Sequence, residues 1–385
     1  MRTIGIFTGT RAEFGLLRPL IRLLTATPDV IVKLLVTGTH LAASAGATWQ
    51  EISNDGMAID ERVEVLFDSD TDTGVYTAMG LGIMRYGDAF KRMAPDIVVV
   101  LGDRFEAFAA AAAATVCKIP IAHLHGGELT LGAMDESFRH AITKMSHLHF
   151  TSTETHRQRV IQLGESPDRV FDVGALGVEN LSTLDLIDSK EVVRRLQIMP
   201  SQSYFLVTFH PATLCNDAPE AQMIALLDAL DLFPDYAVIF TGSNADAGGM
   251  GLNRLLEDRA ARQGNRYRFF MSLGSTLYLS AARDAAVVIG NSSSAIIEVP
   301  SFGVPSVDIG TRQAGRVRSE SVISCDPDSK QIVDAVKRAL STEFLKLCAT
   351  ARNPYAKPGT TAQIARVLLS REPVGLLCKH FQDLS

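Results

Sequence analysis

The chain has 385 residues, of which 46% are hydrophobic and 21% are charged, and its formal net charge is −6. This balance is typical of globular proteins, and the length predicts two or three domains. The acidic net charge excludes a broad basic surface for nucleic acid or an acidic membrane, and no apolar run approaches the roughly 20 residues that span a bilayer.

Strand-like and helical patterns alternate through the first half of the chain. The predicted strands are Thr3–Phe7, Val32–Val36, Ile97–Leu101, Ile119–His123 and Leu148–Thr151, and the predicted helices include Gly15–Thr25, Ala107–Cys117 and Asp135–Ser146. Short apolar strands that alternate with helices are typical of βαβ units and of a parallel sheet.

The second half repeats this alternation. Its predicted strands are Tyr204–Thr208, Ala237–Thr241, Ala286–Ile289 and Ser306–Ile309, and an amphipathic helix is predicted at Thr361–Leu369. Two such series predict two doubly wound α/β domains, divided near Val178, and not one large sheet.

Polar residues follow most of the predicted strands, where ligands bind in open α/β sheets. These segments are Gly9-Thr10-Arg11, Gly102-Asp103-Arg104, His123–Glu128, Phe209-His210-Pro211, Gly242-Ser243-Asn244, Gly290–Ser294 and Gly310-Thr311-Arg312. A structural turn requires only Gly, Asn, Asp or Pro, so the pattern predicts a binding site at the strand ends.

The segment Gly290–Glu298 is the most informative of these. Gly290 and Asn291 end a strand, and three serines are predicted to open a helix that carries Glu298 in its second turn. Serine hydroxyls and free amides at a helix N-terminus favour a phosphate, although serines that only cap the helix are the alternative.

Three arginines strengthen the prediction of an anionic ligand. Arg11, Arg104 and Arg312 each come after a glycine at a predicted strand end, where a guanidinium can fork onto phosphate oxygens. A single such arginine is more often a surface ion pair, whereas three at equivalent positions favour the phosphate site.

Titratable residues lie at the same strand ends. Asp103 is a candidate acid/base carboxylate, with a helix cap or an ion pair to Arg104 as the alternative. Asp135 and Arg139 are four residues apart on a predicted helix, the spacing of a helix-stabilising pair, but their place after a glycine loop favours the site. His210 precedes a proline and is expected in extended backbone, where it can bond a phosphate.

We predict different roles for His123 and His125, which lie at and just after the end of strand Ile119–His123. We expect His123 and His125 to point to opposite sides, so that His125, beside Gly126-Gly127, lines the site and His123 packs in the core. The same expectation argues against a metal site between them.

Other common site types lack their sequence signatures. No Gly-x-Gly-x-x-Gly follows the first strand, there is no Walker motif, and the five cysteines are scattered without Cys-x-x-Cys spacing. We therefore expect no cofactor, no metal and reduced thiols. An N-terminus that runs directly into a strand adds to the expectation of a cytoplasmic protein.

Together these motifs resemble the UDP-N-acetylglucosamine 2-epimerase family, in particular its hydrolysing branch that feeds nonulosonic (sialic-acid-like or legionaminic) acid biosynthesis. The matching segments are Gly9–Phe14, Gly102-Asp103-Arg104, Gly126-Gly127-Glu128, Asp135–His140, Phe209-His210-Pro211, Gly290–Ser293 and Gly310–Gln313. They span about four-fifths of the chain, in the order of the family.

The resemblance implies the GT-B fold, two Rossmann-like domains with an interdomain cleft. Residues 1–178 would form the sugar-side, catalytic domain, joined by a returning C-terminal helix in 361–385, and residues 179–360 would bind the nucleotide. The implied partners are a UDP-sugar and UDP, with no nucleic acid and no membrane, and a homodimer or homotetramer is expected.

The resemblance also implies a reaction. UDP leaves C1 as the C2 proton is removed, and water adds to the resulting 2-acetamidoglucal with inversion at C2, which releases the free epimer. Non-hydrolysing relatives return UDP to the intermediate instead. Such a non-hydrolysing epimerase, a GT-B glycosyltransferase and a nucleotide-sugar sensor without turnover remain the alternatives.

Roles are implied position by position. Asp103, Asp135 and His210 match catalytic positions, to which we add Arg139 and His125. The nucleotide-binding set is Arg11, Arg104, His210, Asn244, Leu273, Ser292, Ser293, Glu298 and Arg312. Of these, Glu298 would bind the ribose hydroxyls, the backbone at Leu273 would bind uracil, and Arg104 would serve both sides.

Two positions depart from the family pattern. His125 stands where many UDP-N-acetylglucosamine enzymes have a glutamate, and Gly15 stands where relatives have serine or lysine. The histidine therefore leaves open the identity of the acid/base group, and it leaves the sugar open between UDP-N-acetylglucosamine and UDP-N,N′-diacetylbacillosamine.

Overall fold

The computed structural model describes residues 1–42, 46–66, 71–131, 133–182, 184–211, 219–243 and 249–383. The chain forms two compact units. The first comprises Met1–Glu128, Asp135–Asn180 and Lys357–Ser385, and the second comprises Leu129–Met134 and Leu181–Ala356.

The first unit contains a parallel sheet of seven strands in the order β3-β2-β1-β4-β5-β6-β7. Its strands are β1 (Arg2–Thr8), β2 (Val30–Thr37), β3 (Glu61–Val63), β4 (Ile97–Leu101), β5 (Ile121–Leu124), β6 (Leu148–Thr151) and β7 (Val170–Asp172). The strand order reverses between β1 and β4, which is where a doubly wound sheet opens a crevice for a ligand.

Helices cover both faces of this sheet. They are α1 (Arg11–Thr25), α2 (Trp49–Asn54), α3 (Asp72–Met93), α4 (Phe105–Val116), α5 (Asp135–Met145), α6 (Glu154–Gln162) and α7 (Leu176–Leu181), with 3₁₀ turns at Gly38–His40, Pro167–Arg169 and Pro373–Gly375. All five residues of β4 are buried, as expected for an apolar strand covered on both faces.

The last helix of the chain packs on this first unit. It spans Thr360–Ser370, and its Ile364 and Leu368 lie in the core that includes β1 and α1. Arg2 donates from Nη1 to the carbonyl oxygen of Leu368 at 2.7 Å. This helix is α15 in the numbering below, because seven helices of the second unit precede it.

The second unit contains a parallel sheet of six strands in the order β10-β9-β8-β11-β12-β13. Its strands are β8 (Tyr204–Thr208), β9 (Ala237–Thr241), β10 (Tyr267–Phe270), β11 (Val287–Gly290), β12 (Ser306–Ile309) and β13 (Val322–Cys325). The strand order reverses between β8 and β11.

Its helices are α8 (Ser189–Leu196), α9 (Pro219–Asp231), α10 (Gly249–Arg262), α11 (Gly274–Asp284), α12 (Ser294–Ile297), α13 (Ser329–Ala339) and α14 (Thr342–Thr350), with a 3₁₀ turn at Val299–Phe302. Apolar side chains from β8, β11 and α13 share one core of this unit. In the part of the chain described, no helix has both the length and the apolar character needed to span a membrane.

The prediction of two doubly wound sheets is confirmed, and every predicted strand is present. The prediction that a strand covers Ile119–His123 is partly wrong, because β5 begins at Ile121, after Pro120. Proline lacks the amide hydrogen that a central strand donates to its neighbour. The sequence prediction also missed β3, β7, β10 and β13, which are the edge strands of the two sheets.

Candidate active site

The point where the strand order of the first sheet reverses carries two of the predicted segments. Gly9-Thr10-Arg11 follows β1, and Asp103-Arg104 follows the adjacent β4. Thr10 caps α1, because its Oγ1 accepts a hydrogen bond from the amide of Glu13 at 3.2 Å. Arg11 is half-exposed and its Nε lies 2.9 Å from Oε2 of Glu51.

Two buried glutamates support these segments, and the sequence analysis missed both. Glu13 accepts a hydrogen bond from the amide of Gly9 at 2.7 Å. Burial raises the pKa of Glu13 to about 7, against the lowering effect of that bond. Glu106 is 1% exposed and lies 3.2 Å from Nε of Arg104. A signal for Glu13 was present, because Thr10-x-x-Glu13 has the spacing of a capping box.

Asp103 is held by the guanidinium of Arg139. Arg139 is 1% exposed, forms an ion pair with Asp103, and donates from Nη1 to Oε2 of Glu136 at 2.8 Å and to the carbonyl oxygen of Glu128 at 2.9 Å. Burial opposes its charge, but the surrounding carboxylates, Asp103 first, raise its pKa overall. The alternatives for Asp103 were a helix cap or an ion pair with Arg104. The structure instead pairs Asp103 with a buried arginine from α5.

Asp135 is the first residue of α5 and is half-buried. Arg139, four residues further along α5, forms ion pairs with Asp103 and Glu136. Glu136 was missed because a charge in the first turn of a helix usually faces solvent.

We expected His123 and His125 to face opposite sides of one strand. That reason is wrong, because residues two apart in a strand share a face. His125 instead lies beyond the end of β5, in a left-handed conformation with φ of 65°. His123 is fully buried, with Nε2 2.7 Å from the carbonyl oxygen of Gly102 and Nδ1 3.1 Å from Oγ1 of Thr143. The end of the strand is what separates the two side chains.

The second unit has its own polar cluster at the reversal between β8 and β11. Asn291 bonds the backbone of His210 in both directions, accepting from its amide at 2.7 Å and donating to its carbonyl oxygen at 2.8 Å. Gln313 and Arg312 donate to the carbonyl oxygen of Asn291 at 2.9 Å and 3.1 Å. Burial first, and then the charge of Arg312, lower the pKa of His210 to about 3. His210 is therefore neutral at physiological pH.

The structure of the segment Gly290–Glu298 differs from the prediction. Helix α12 covers only Ser294–Ile297, and Glu298 lies between it and the 3₁₀ turn Val299–Phe302, not in a second helical turn. Pro300 lacks the amide hydrogen that would continue the α-helix. Ser293 makes no side-chain capping bond, so capping does not explain this serine.

Ser292, Leu273 and Asn244 were also predicted to bind the nucleotide. Ser292 is half-buried, and Leu273 is the N-cap residue of α11, directly before Gly274. Tyr278, which the sequence analysis missed, lies near Ser292, and burial raises its pKa. Asn244 lies outside the described residues.

A pocket of about 300 Å³ opens beside this cluster in the second unit. Its lining residues are Gln222, Asn291, Ile309, Gly310, Thr311, Arg312, Asp326 and Pro327. The guanidinium of Arg312 is suited to an anion, and the acidic residue Asp326 also lines the pocket. The first unit, in contrast, offers carboxylates and a histidine, the groups that transfer protons.

The chain is similar over most of its length to known proteins of one family. The family model described as UDP-N-acetylglucosamine 2-epimerase matches residues 22–369. Polysialic acid biosynthesis protein P7 of Escherichia coli is 38% identical over 96% of this chain and 94% of its own length. The hydrolysing GDP/UDP-N,N′-diacetylbacillosamine 2-epimerase of Campylobacter jejuni is 37% identical over 89% of this chain and 88% of its own. The hydrolysing UDP-N,N′-diacetylbacillosamine 2-epimerase of Legionella pneumophila is 33% identical over 90% and 91%.

Solved structures agree on the fold. The UDP-N-acetylglucosamine 2-epimerase of Neisseria meningitidis, bound to UDP-N-acetylglucosamine, superposes with a TM-score of 0.80 at 18% identity, over 96% of this chain and 100% of that one. The Listeria monocytogenes protein described as a UDP-N-acetylglucosamine 2-epimerase gives 0.79 at 17% identity, over 100% and 99%. Both likenesses support the predicted GT-B fold. With the family model covering most of its length, the chain belongs to the UDP-N-acetylglucosamine 2-epimerase family.

Proposed function

We propose that this protein is a hydrolysing UDP-sugar 2-epimerase with UDP-N,N′-diacetylbacillosamine as its preferred substrate. It would release UDP and 2,4-diacetamido-2,4,6-trideoxymannose for nonulosonic acid biosynthesis. The observation that carries the proposal is that two hydrolysing N,N′-diacetylbacillosamine 2-epimerases, one named for GDP- and UDP-sugars and one for the UDP-sugar, are 37% and 33% identical to this chain. The UDP-N-acetylglucosamine 2-epimerase of Neisseria meningitidis is 30% identical, and those of E. coli K12 and Bacillus subtilis are 23% and 22% identical.

The first unit supplies the groups for proton transfer in this proposal. The C2 proton is weakly acidic, so it is removed only as the C1–O bond to the diphosphate breaks. Inversion at C2 then requires a second group that delivers a proton to the opposite face of the glucal. Asp103, Asp135 and His125 are the groups that we assign to these two transfers. Arg139 orients Asp103 through their ion pair.

The second unit holds the nucleotide in this proposal. Arg312, Ser292 and Ser293 bind the diphosphate, Glu298 binds the ribose hydroxyls, and the backbone at Leu273 binds uracil. His210 donates a hydrogen bond to the diphosphate as a neutral imidazole, which its lowered pKa supports. Asn244 from the second unit, and Arg11 and Arg104 from the first, complete the predicted set of phosphate ligands.

Incubation with nucleotide sugar alone tests the reaction. Purified protein is mixed with UDP-N,N′-diacetylbacillosamine, and separately with UDP-N-acetylglucosamine, without any acceptor. Release of UDP with a C2-inverted free sugar supports the hydrolysing epimerase. An inverted sugar still attached to UDP indicates a non-hydrolysing epimerase. UDP binding without any turnover on either sugar indicates a sensor, and turnover that requires an added acceptor indicates a transferase.

The choice between the two sugars is tested at His125, which replaces the glutamate of many relatives. If His125 contacts the substituent at C4, His125→Glu shifts the ratio of the two kcat/KM values toward UDP-N-acetylglucosamine. Equal slowing on both sugars would assign His125 to the chemistry alone. Gly15→Ser, at the other departure from the family, serves as a matched control because a Cβ at Gly15 meets no atom within 4 Å.

We also propose a homo-oligomer, formed through the exposed apolar face of α3, and a cytoplasmic location. On this helix Tyr76 is 62% exposed and Met84 is 71% exposed, which is unusual for large apolar side chains of one surface helix. Light scattering during size-exclusion chromatography should give a dimer or tetramer that Met84→Glu weakens. A wild-type monomer would contradict the proposal.

A further inference from the structure

A buried glutamate, Glu128, connects His125 to two further side chains of the first unit. Its Oε1 lies 3.4 Å from Nδ1 of His125 and accepts a hydrogen bond from Oγ of Ser152 at 2.7 Å. Ser152 in turn lies 2.9 Å from Nδ1 of His156 on α6. Glu128 is only 3% exposed. A carboxylate in such a place is costly to bury unless its partners favour its charge.

The chain folds back sharply to bring Glu128 beside His125. His125 adopts φ of 65°, which is strained for a residue with a side chain, and its amide donates to the carbonyl oxygen of Phe150 at 2.8 Å. At Gly127, with φ of 78°, a Cβ would lie 2.5 Å from the carbonyl oxygen of His156. This turn therefore requires glycine, and it sets the His125–Glu128 geometry at the expense of backbone strain.

The two ring nitrogens of His125 have different surroundings. Nδ1 faces Glu128, whereas Nε2 is buried and has no hydrogen-bond partner among the described residues. A buried polar atom without a partner is uncommon and requires an explanation. His123 provides the contrast, because both of its ring nitrogens have partners, as expected for a structural histidine.

We propose that Glu128 is the positioning residue that makes His125 the base of the reaction. The carboxylate holds the proton of neutral His125 on Nδ1, which leaves the lone pair on Nε2. This inference rests on the proposed epimerase function and names the group that removes the C2 proton. The electron pair of the C2–H bond forms the C1=C2 bond, the C1–O pair leaves with UDP, and the proton binds Nε2.

The resulting imidazolium is stabilised by the adjacent carboxylate of Glu128, and its proton then passes to solvent. Water completes the balance by adding its hydroxyl to C1 of the glucal, while a proton reaches C2 on the opposite face from a different group. Glu128 touches no reacting atom in this scheme. It acts only through His125, so its removal should affect turnover more than substrate binding.

The kinetic test compares Glu128→Gln with Glu165→Gln. Glu165 is a matched control, because it is 1% exposed and its Oε2 also lies 3.0 Å from a histidine nitrogen, Nε2 of His149. Glu128→Gln should lower kcat on UDP-N,N′-diacetylbacillosamine about 10- to 100-fold with KM unchanged, the range typical of a group that orients a functional histidine. Glu165→Gln should lower the melting temperature and leave kcat of the folded protein unchanged. Equal losses in both variants, or a raised KM with unchanged kcat in Glu128→Gln, would overturn the inference.

A second measurement does not depend on turnover. ¹⁵N NMR of histidine-labelled protein at about pH 8, above the usual imidazole pKa of about 6.5, reports which ring nitrogen carries the proton. The His125 signals are identified by their loss in His125→Gln. We expect a protonated Nδ1 and an unprotonated Nε2, and the opposite tautomer would overturn the role of Glu128. If wild type shows this tautomer but no turnover on any UDP-sugar, the proposed function fails while the positioning by Glu128 stands.

Discussion

Asp103 forms an ion pair with the buried guanidinium of Arg139, whereas Asp135 begins α5 and is only half-buried. Both carboxylates are assigned to sugar chemistry, so Asp103→Asn and Asp135→Asn should each lower kcat by about 10²- to 10⁴-fold while UDP affinity is retained. Steady-state kinetics and calorimetry with UDP measure the two effects. Asp168→Asn is the control, because Asp168 is 61% exposed and its side-chain contacts are with Ser166, at 2.5 Å, and Arg371, at 3.9 Å. Full activity in either active-site variant would remove that residue from the chemistry.

Arg312 is the charged group of the second-unit cluster, beside Asn291 and His210. Arg312→Ala should weaken UDP binding by roughly 1.5–3 kcal/mol, the contribution of a charge-assisted hydrogen bond. Ser292→Ala should also weaken it, without removing the bond that Arg312 makes to Asn291. Titration calorimetry with UDP checks both variants against Arg194→Ala, a surface arginine 73% exposed on α8. UDP affinity equal to that of wild type in both variants would place the diphosphate elsewhere.

The sequence was sufficient to find the polar residues at strand ends but not the carboxylates that support them. Asp103 and His210 follow apolar strands, and that local pattern was enough to predict them. Glu13, Glu106 and Glu128 follow the same motifs, yet charged residues at the starts of helices and in loops are usually solvated. Their burial depends on packing between distant segments, which no local pattern encodes.

At the scale of elements, the missed strands share one property. β3, β7, β10 and β13 are edge strands of three or four residues, paired on one side only. An edge strand is partly exposed, so its residues need not form the continuous apolar run that identified central strands such as β4 and β8. The same principle explains why the bounds of five central strands were predicted without error.

Two glycines at the ends of the neighbouring strands β11 and β12 differ in how closely other atoms approach them. At Gly290, with φ of 135°, a Cβ would lie 1.9 Å from the carbonyl oxygen of Thr208 on β8. At Gly310, with φ of 78°, a Cβ would meet no atom within 4 Å. Gly310→Ala should cost about 1–2 kcal/mol from backbone strain alone, whereas Gly290→Ala should cost at least about 3 kcal/mol and also lower UDP affinity. Denaturant unfolding measures both, and equal losses would contradict the close approach at Gly290.

At the scale of the whole molecule, buried neutral histidines should make the protein sensitive to acid. Burial is the main cause that lowers the pKa of His40 and His147 to about 4, and of His123 and His210 to about 3. The unfolded chain binds protons at these residues below about pH 6.5, while the folded protein does not. Stability is therefore retained above pH 6.5 and falls as the pH is lowered from there toward 4. Glu13 acts in the opposite direction, because its raised pKa favours the folded state as the pH falls below 7.

Urea unfolding at a series of pH values measures this loss. Each histidine contributes up to about 1.4 kcal/mol per pH unit, so His147→Gln should make the fall in unfolding midpoint less steep. Glutamine can still accept the hydrogen bond that Nδ1 of His147 accepts from the amide of Ile121 at 3.1 Å. An unchanged pH slope in this variant would contradict the assignment of His147 as a buried neutral group.

The central claim is that the protein eliminates UDP from a 2-acetamido sugar and hydrates the glucal with inversion at C2. The most direct measurement is ¹H NMR of the reaction of wild type with UDP-N,N′-diacetylbacillosamine in D₂O. We predict release of UDP together with free 2,4-diacetamido-2,4,6-trideoxymannose that carries deuterium at C2, because the new C2 proton comes from solvent. A released sugar with hydrogen retained at C2, or with its original C2 configuration, would contradict the proposed mechanism.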